Sequence, residues 1–176
     1  MDIHFVGTGG AFDYQYGNSS ALVDCNSERY LIDCGHDVYS RLREKDAIDP
    51  IDFILITHFH ADHVGSLSTF ILHHHFFVKG KQLKILYPEK HFKDTLYNYL
   101  SFSLQKPEKY IVFIPMDNRP ELDFVNTFGK HVPGMQTYSY IFRENNQMIF
   151  YSGDTGDGDP TFEYLEENAL PQTRVF

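Results

Sequence analysis

Ile51-Asp52-Phe53-Ile54-Leu55-Ile56-Thr57-His58-Phe59-His60-Ala61-Asp62-His63 is the stretch on which the reading of this chain turns. Its first part is mostly apolar and rich in β-branched residues, and Asp49-Pro50 breaks the chain just before it. Residues 51–57 therefore read as a buried strand. The second part carries three histidines and an aspartate. Alternate residues on an extended backbone face the same way, so His58 and His60 can share one metal ion. Asp62 and His63 follow where the chain turns into a helix and can face a second ion. Imidazole with carboxylate suits zinc, and manganese or iron(II) are compatible with the same donors. The plain alternative is a loop of surface histidines. Random placement rarely yields His-x-His-x-Asp-His directly after a buried strand.

Working outward, residues 1–6 read as a strand closed by the tight turn Gly7-Thr8-Gly9-Gly10. That turn is no dinucleotide fingerprint, because the six-residue glycine pattern and the strand–turn–helix context are missing. Residues 19–25 and 29–33 read as two strands, and Gly35 ends the second. A helix is expected over 36–45, with Val38, Leu42 and Tyr39 inward. After the histidine segment, 63–75 reads as one helix with Val64, Leu67, Phe70, Ile71 and His74 near helical spacing. Strand 83–87 follows, then a helix opened by Pro88 and running to Leu104. Strands are expected at 110–114 and 121–127, and a hairpin joins 137–142 to 147–151. The glycine-flanked loop Ser152-Gly153-Asp154-Thr155-Gly156 precedes a helix over 161–168 and a strand over 173–176. Strands dominate both halves and helices interrupt each. That order fits a single α/β (α+β) domain over 1–176, two sheets face to face with helices outside.

The chain has 176 residues, 42% of them apolar and 22% charged, with a formal charge of −9. That balance argues for a packed domain and against disorder. No basic run marks a nucleic-acid face. Cys25 and Cys34 flank a hairpin turn and would not sit opposite each other, so thiols in a reducing compartment are expected. No leader or membrane span is visible, and the cytoplasm is the expected location. Among the other histidines, His4 and His36 read as structural and His91 as solvated. His73-His74-His75 point three ways on a helix and read as surface or packing residues.

These segments resemble the metallo-β-lactamase superfamily and, within it, the ribonuclease Z-like (tRNase Z-like) branch. The superfamily motif stands here as His58, His60, Asp62 and His63. Phe5-Val6-Gly7-Thr8-Gly9, Asn18-Ser19-Ser20, Leu31-Ile32-Asp33-Cys34-Gly35 and Tyr151-Ser152-Gly153-Asp154-Thr155 are similar to the branch's patterns. The similarity runs from Met1 to about Gly156. It implies the αββα four-layer sandwich and a dinuclear zinc centre. His58, His60 and His131 would hold the first ion, Asp62 and His63 the second, and Asp154 would bridge them. His131 and Asp154 otherwise read as an ordinary loop histidine and a turn carboxylate. Two ions about 3.5–4 Å apart make water a nucleophile at neutral pH and stabilise attacking and leaving oxygens. Asp62 would orient the nucleophile or protonate the leaving group. Asp33 is either a partner that orients a ligand histidine or a turn residue before Gly35.

Two departures from the branch shape the functional expectation. Only 22 residues lie between His131 and Asp154, which leaves no room there for the long RNA-gripping arm of the bacterial enzymes. With the acidic charge, that shifts the expected substrate from transfer RNA toward a smaller phosphodiester, such as a cyclic nucleotide or cyclic phosphate. No histidine follows His131, whereas the family closes its second-ion set with a C-terminal one. The expectation is a C-terminally short domain whose first ion has a full protein set and whose second lacks one ligand. The leading reading is a metal-dependent hydrolase of the phosphodiesterase or endoribonuclease type, using a metal-bound hydroxide on a small phosphodiester or RNA. A thioester or lactam hydrolase of the same superfamily and a catalytically weakened metal-binding protein are the alternatives. A di-iron role fits less well, because such members carry a carboxylate where His60 stands. The resemblance also implies a homodimer.

Overall fold

The computed structural model describes residues 1–156 and 159–176 and divides into two compact units. The larger unit, Asp2–Pro115, is built on a six-stranded sheet. Its strands in spatial order are β1 (Asp2–Gly7), β2 (Ser20–Cys25), β3 (Glu28–Ile32), β4 (Phe53–Leu55), β5 (Leu83–Tyr87) and β6 (Ile111–Pro115). The first three form an antiparallel meander, and β3 through β6 run parallel. Parallel neighbours need a crossover, and here helices supply it. They are α1 (Val38–Glu44), α2 (Ala61–Val64) with α3 (Leu67–Phe77), and α4 (Lys90–Leu104).

Each helix buries one stripe. α3 buries Leu67, Phe70, Ile71 and His74, and α4 buries Phe92, Leu96, Leu100 and Leu104, the spacing of a single core-facing side. The strand expected over 51–57 is shorter, only three residues in β4, although Ile51 and residues 53–58 are all buried. The single helix expected over 63–75 is broken at Gly65-Ser66. At Gly65 a Cβ would meet the His36 ring and the Ala61 carbonyl. The Ser66 hydroxyl donates to the Gly35 carbonyl and accepts from the Tyr39 amide. Tertiary bonds thus replace the next helical turn.

Cys25 and Cys34 are buried thiols and form no disulfide. Burial pushes the Cys34 thiol up to about 12. Thiolate is the reactive form, so native protein at pH 8 is expected to resist iodoacetamide at Cys34. Labelling after unfolding in guanidinium, read by mass spectrometry, checks this.

His74 is 1% exposed, and burial lowers its pKa below the ordinary histidine value. Lys81 and His73 add to that, while Asp49 and a bond to the Ile51 backbone oppose it. A depressed imidazole costs nothing above its unfolded pKa. As pH falls below about 6.5, the unfolded chain takes up a proton that the folded chain resists, so stability declines by at most about 1.4 kcal/mol per pH unit. His74→Gln should flatten the fall in Tm between pH 7 and pH 5 relative to the parent chain.

The smaller unit is Met116–Phe176 together with Met1. Its sheet orders as β10 (Gln172–Val175), β9 (Gln147–Tyr151), β8 (Tyr138–Glu144) and β7 (Leu122–Asn126). β7, β8 and β9 are antiparallel, and β10 lies parallel to β9 after the crossover helix α5 (Asp159–Asn168). Ile141, Met148 and Phe150 form its core with Val125, Tyr164, Leu165 and Leu170. Tyr164 donates to Asp123 at 2.6 Å and accepts from Arg143, which locks α5 to the sheet. Among the described residues, no helix is long and apolar enough to cross a membrane.

Candidate metal centre

The register of β3 and β4 decides where the site's supports lie. Ile32 pairs with Leu55, and the Asp33 amide donates to the Leu55 carbonyl at 2.9 Å. Asp33, following one parallel strand, therefore stands beside Thr57, following the next. Asp33 turns left-handed (φ 61°) and is completely buried. Its carboxylate accepts from the Thr57 amide and the Thr57 hydroxyl, both at 2.8 Å, and meets His63 Nδ1 at 2.7 Å. The sequence left Asp33 open between turn residue and histidine partner, and the geometry makes it the partner.

That carboxylate sets the protonation pattern of two rings. His63 donates from Nδ1 to Asp33, which leaves Nε2 as its unprotonated nitrogen. The Thr57 hydroxyl donates its one hydrogen to Asp33, so at 3.0 Å it accepts from His58 Nδ1. His58 Nε2 is then unprotonated as well. His58 and His63 are buried, and their ring centroids lie 4.0 Å apart. His58 Nε2 lies 3.1 Å from His60 Nδ1. Two nitrogens held tetrahedrally at about 2.0–2.1 Å from one zinc lie about 3.3 Å apart. His63 Nε2 lies 3.5 Å from Asp62 Oδ2. The donor set and its spacing fit a divalent metal.

Backbone bonds hold the segment in place. The Cys34 amide donates to the His63 carbonyl at 2.7 Å, and the Ser66 amide donates to the Cys34 carbonyl at 3.1 Å. Gly35 lies so close to α2 that a Cβ would overlap the Asp62 backbone carbonyl. His60, in extended backbone, precedes α2, and its carbonyl accepts from the His63 and Val64 amides.

His131 and Asp154 belong to the smaller unit, where His131 Nε2 lies 3.9 Å from Asp154 Oδ2. The His131 loop is pinched shut by Thr127 and Thr137, whose backbones bond at 3.0 Å and hydroxyls at 2.7 Å. Gly153 (φ 63°) turns the chain after β9, and the Gly156 amide donates to the Lys130 carbonyl at 2.8 Å, joining the two loops. His36, taken as structural, is exposed and lines a cavity with His60 and Asp62. Its only local signal was its place after Gly35.

The fold is that of the metallo-β-lactamase proteins. The metallo-β-lactamase fold protein YhfI from Bacillus subtilis matches at TM-score 0.64 and 19% identity over 85% of this chain and 61% of its own. The short form of human tRNase Z matches at 0.67 and 20% identity, over 94% and 74%. The family is more specific than the ribonuclease Z-like branch that the motifs resembled. The family model of the anti-Pycsar protein Apyc1 matches residues 1–175, and the chain belongs to that family. An anti-Pycsar protein Apyc1 of Bacillus phage 010DV004 is 40% identical over all of this chain and 76% of its own length.

Proposed function

We propose that this chain is a metal-dependent phosphodiesterase acting on small cyclic phosphodiesters of the cyclic-nucleotide type. One observation carries the reading: a single buried carboxylate, Asp33, directs unprotonated nitrogens of His58 and His63 to the same neighbourhood as His60 and Asp62. Membership of the Apyc1 family supports a hydrolase over a relic that only binds metal. The net charge of −9 and the short interval between His131 and Asp154 favour a small substrate over RNA.

In this proposal His58, His60, Asp62, His63, His131 and Asp154 are the residues that would hold the metal, and their donor types suit zinc. When bound, such ions supply a nucleophile at neutral pH and neutralise charge on the phosphate. Asp62 is 13% exposed and would orient the nucleophile or pass a proton to the leaving oxygen. His36 stands at the cavity edge and orients the phosphate.

Metal content by mass spectrometry, followed by hydrolysis of a 3′,5′-cyclic nucleotide and of bis(p-nitrophenyl) phosphate, tests the reading. Asp62→Ala is expected to lower kcat by about 100-fold or more, the usual weight of a positioned acid. Turnover that survives this change unaltered does not come from this site. Hydrolysis of a thioester or lactam, with none of phosphodiesters, would assign the chain to the other chemistry of the fold.

A further inference from the structure

The turn after β1 does more than connect two strands. It is a loop tied by hydrogen bonds that projects two aromatic rings into water, Phe12 at 90% and Tyr14 at 91% exposure. Several bonds tie it. The Thr8 amide donates to Tyr16 and the Gly9 amide to Gly17, at 3.2 and 2.7 Å. The Asp13 carboxylate caps the tip by accepting from the amides of Gln15 and Tyr16, at 3.0 and 3.1 Å. Arg41 on α1 reaches the Tyr14 carbonyl while paired with Asp37, and Asp37 also accepts from the Asn18 amide. Gly17 (φ 72°) is packed against the Arg41 guanidinium.

The two rings differ in what they face. Phe12 lines a cavity of about 370 Å³ with Ala11, His36, His60, Ala61 and Asp62. Tyr14 does not line that cavity; it borders a neighbouring one of about 240 Å³, which Ala11, Phe12 and His36 also line and His60 and Asp62 do not. One wall of the larger cavity is thus polar and belongs to the metal centre. Another is an apolar ring on a loop too well tied to fold over and bury it. A ligand with an anionic end and a flat apolar end matches that pair of walls. Aromatic rings held this way stack on nucleobases with little regard for which base is present.

We infer that Phe12 is the base-stacking wall of this site, a substrate-binding residue that contacts the nucleobase while the phosphate lies against His36, His60 and Asp62. The inference rests on the proposed function for its substrate class. The phosphate end belongs to the metal centre and the base end to the β1–β2 loop, so the two contacts are separable by mutation. Tyr14, on the same loop and equally exposed, is the internal control.

Binding rather than turnover tests it. The zinc-loaded chain is titrated calorimetrically with a 3′,5′-cyclic nucleotide phosphorothioate, which resists hydrolysis, and with inorganic thiophosphate, which has no base. Phe12→Ala is expected to weaken the nucleotide about tenfold or more and to leave thiophosphate within twofold. Phe12→Trp should retain nucleotide affinity, and Tyr14→Ala should match the parent. Unchanged nucleotide affinity in Phe12→Ala overturns the inference. So does an equal loss for both ligands, or a parent chain that binds the nucleotide no more tightly than thiophosphate. A chain that shows the Phe12-dependent preference but hydrolyses no phosphodiester keeps this inference and loses the proposed function. Absence of nucleotide binding removes both.

Discussion

Asp33→Ala is expected to lower the melting temperature by roughly 10 °C and to weaken metal binding together with it. The change removes a fully buried carboxylate and strands three groups, the Thr57 amide, the Thr57 hydroxyl and His63 Nδ1. Each buried donor left without its acceptor costs about 1–3 kcal/mol, and 1 kcal/mol moves the Tm of a chain this size by about 2–4 °C. Alanine at a left-handed position adds strain that aspartate tolerates better. Asp33→Asn separates the causes. Asparagine also accepts the left-handed turn and can still accept from Thr57, but it lacks the negative charge. It should recover much of the Tm while zinc affinity stays about 10–100-fold low, the usual weight of such supporting residues. Differential scanning calorimetry and a zinc titration by competition with a chelator provide the two readings. Equal, near-parent values for both variants would remove Asp33 from the account of the site.

Gly35→Ala carries the second large effect, reached through sterics rather than charge. A methyl group at this position would overlap the Asp62 backbone carbonyl. The obstacle is backbone, so no rotamer change relieves it. Overpacking of this kind costs about 1–3 kcal/mol, a fall in Tm of roughly 5 °C. The functional loss should be larger than the stability loss. α2 carries Asp62 and His63, and a shift of about 1 Å at a reacting group can cost 100-fold in rate. Turnover of a cyclic nucleotide should therefore fall by about two orders of magnitude in a chain that remains folded at 25 °C. Gly65→Ala makes a graded comparison. There the nearest atom belongs to the His36 ring, a side chain that can swing away, although the Ala61 carbonyl also lies close. A smaller loss is expected.

The candidate ligand segment stands out in the sequence because its information is local. His58, His60, Asp62 and His63 lie within a few residues of one another behind an apolar run, and extended geometry alone puts alternate side chains on one side. The helix faces were legible for the same reason. Leu67, Phe70, Ile71 and His74 recur at helical spacing and are buried as read. Where the reading failed, a distant partner had intervened. The helix expected over 63–75 breaks because Ser66 bonds to Gly35 and Tyr39, and Gly65 has the His36 ring against it. Those residues are some thirty positions away.

Sequence by itself determined most of the elements, the donor types of the candidate metal centre and their placement after a buried strand. Tertiary structure decided the chemistry of those donors. Asp33 acts on His58 and His63 because β3 and β4 pair with Ile32 opposite Leu55. A register one residue away would point the carboxylate to the other face of the sheet. His36 and Phe12 reach one cavity because two loops from different strand ends are tied together through Arg41 and Asp37. Strand register and loop anchoring are set by contacts between distant segments. No local pattern along the chain records which nitrogen of an imidazole is left unprotonated.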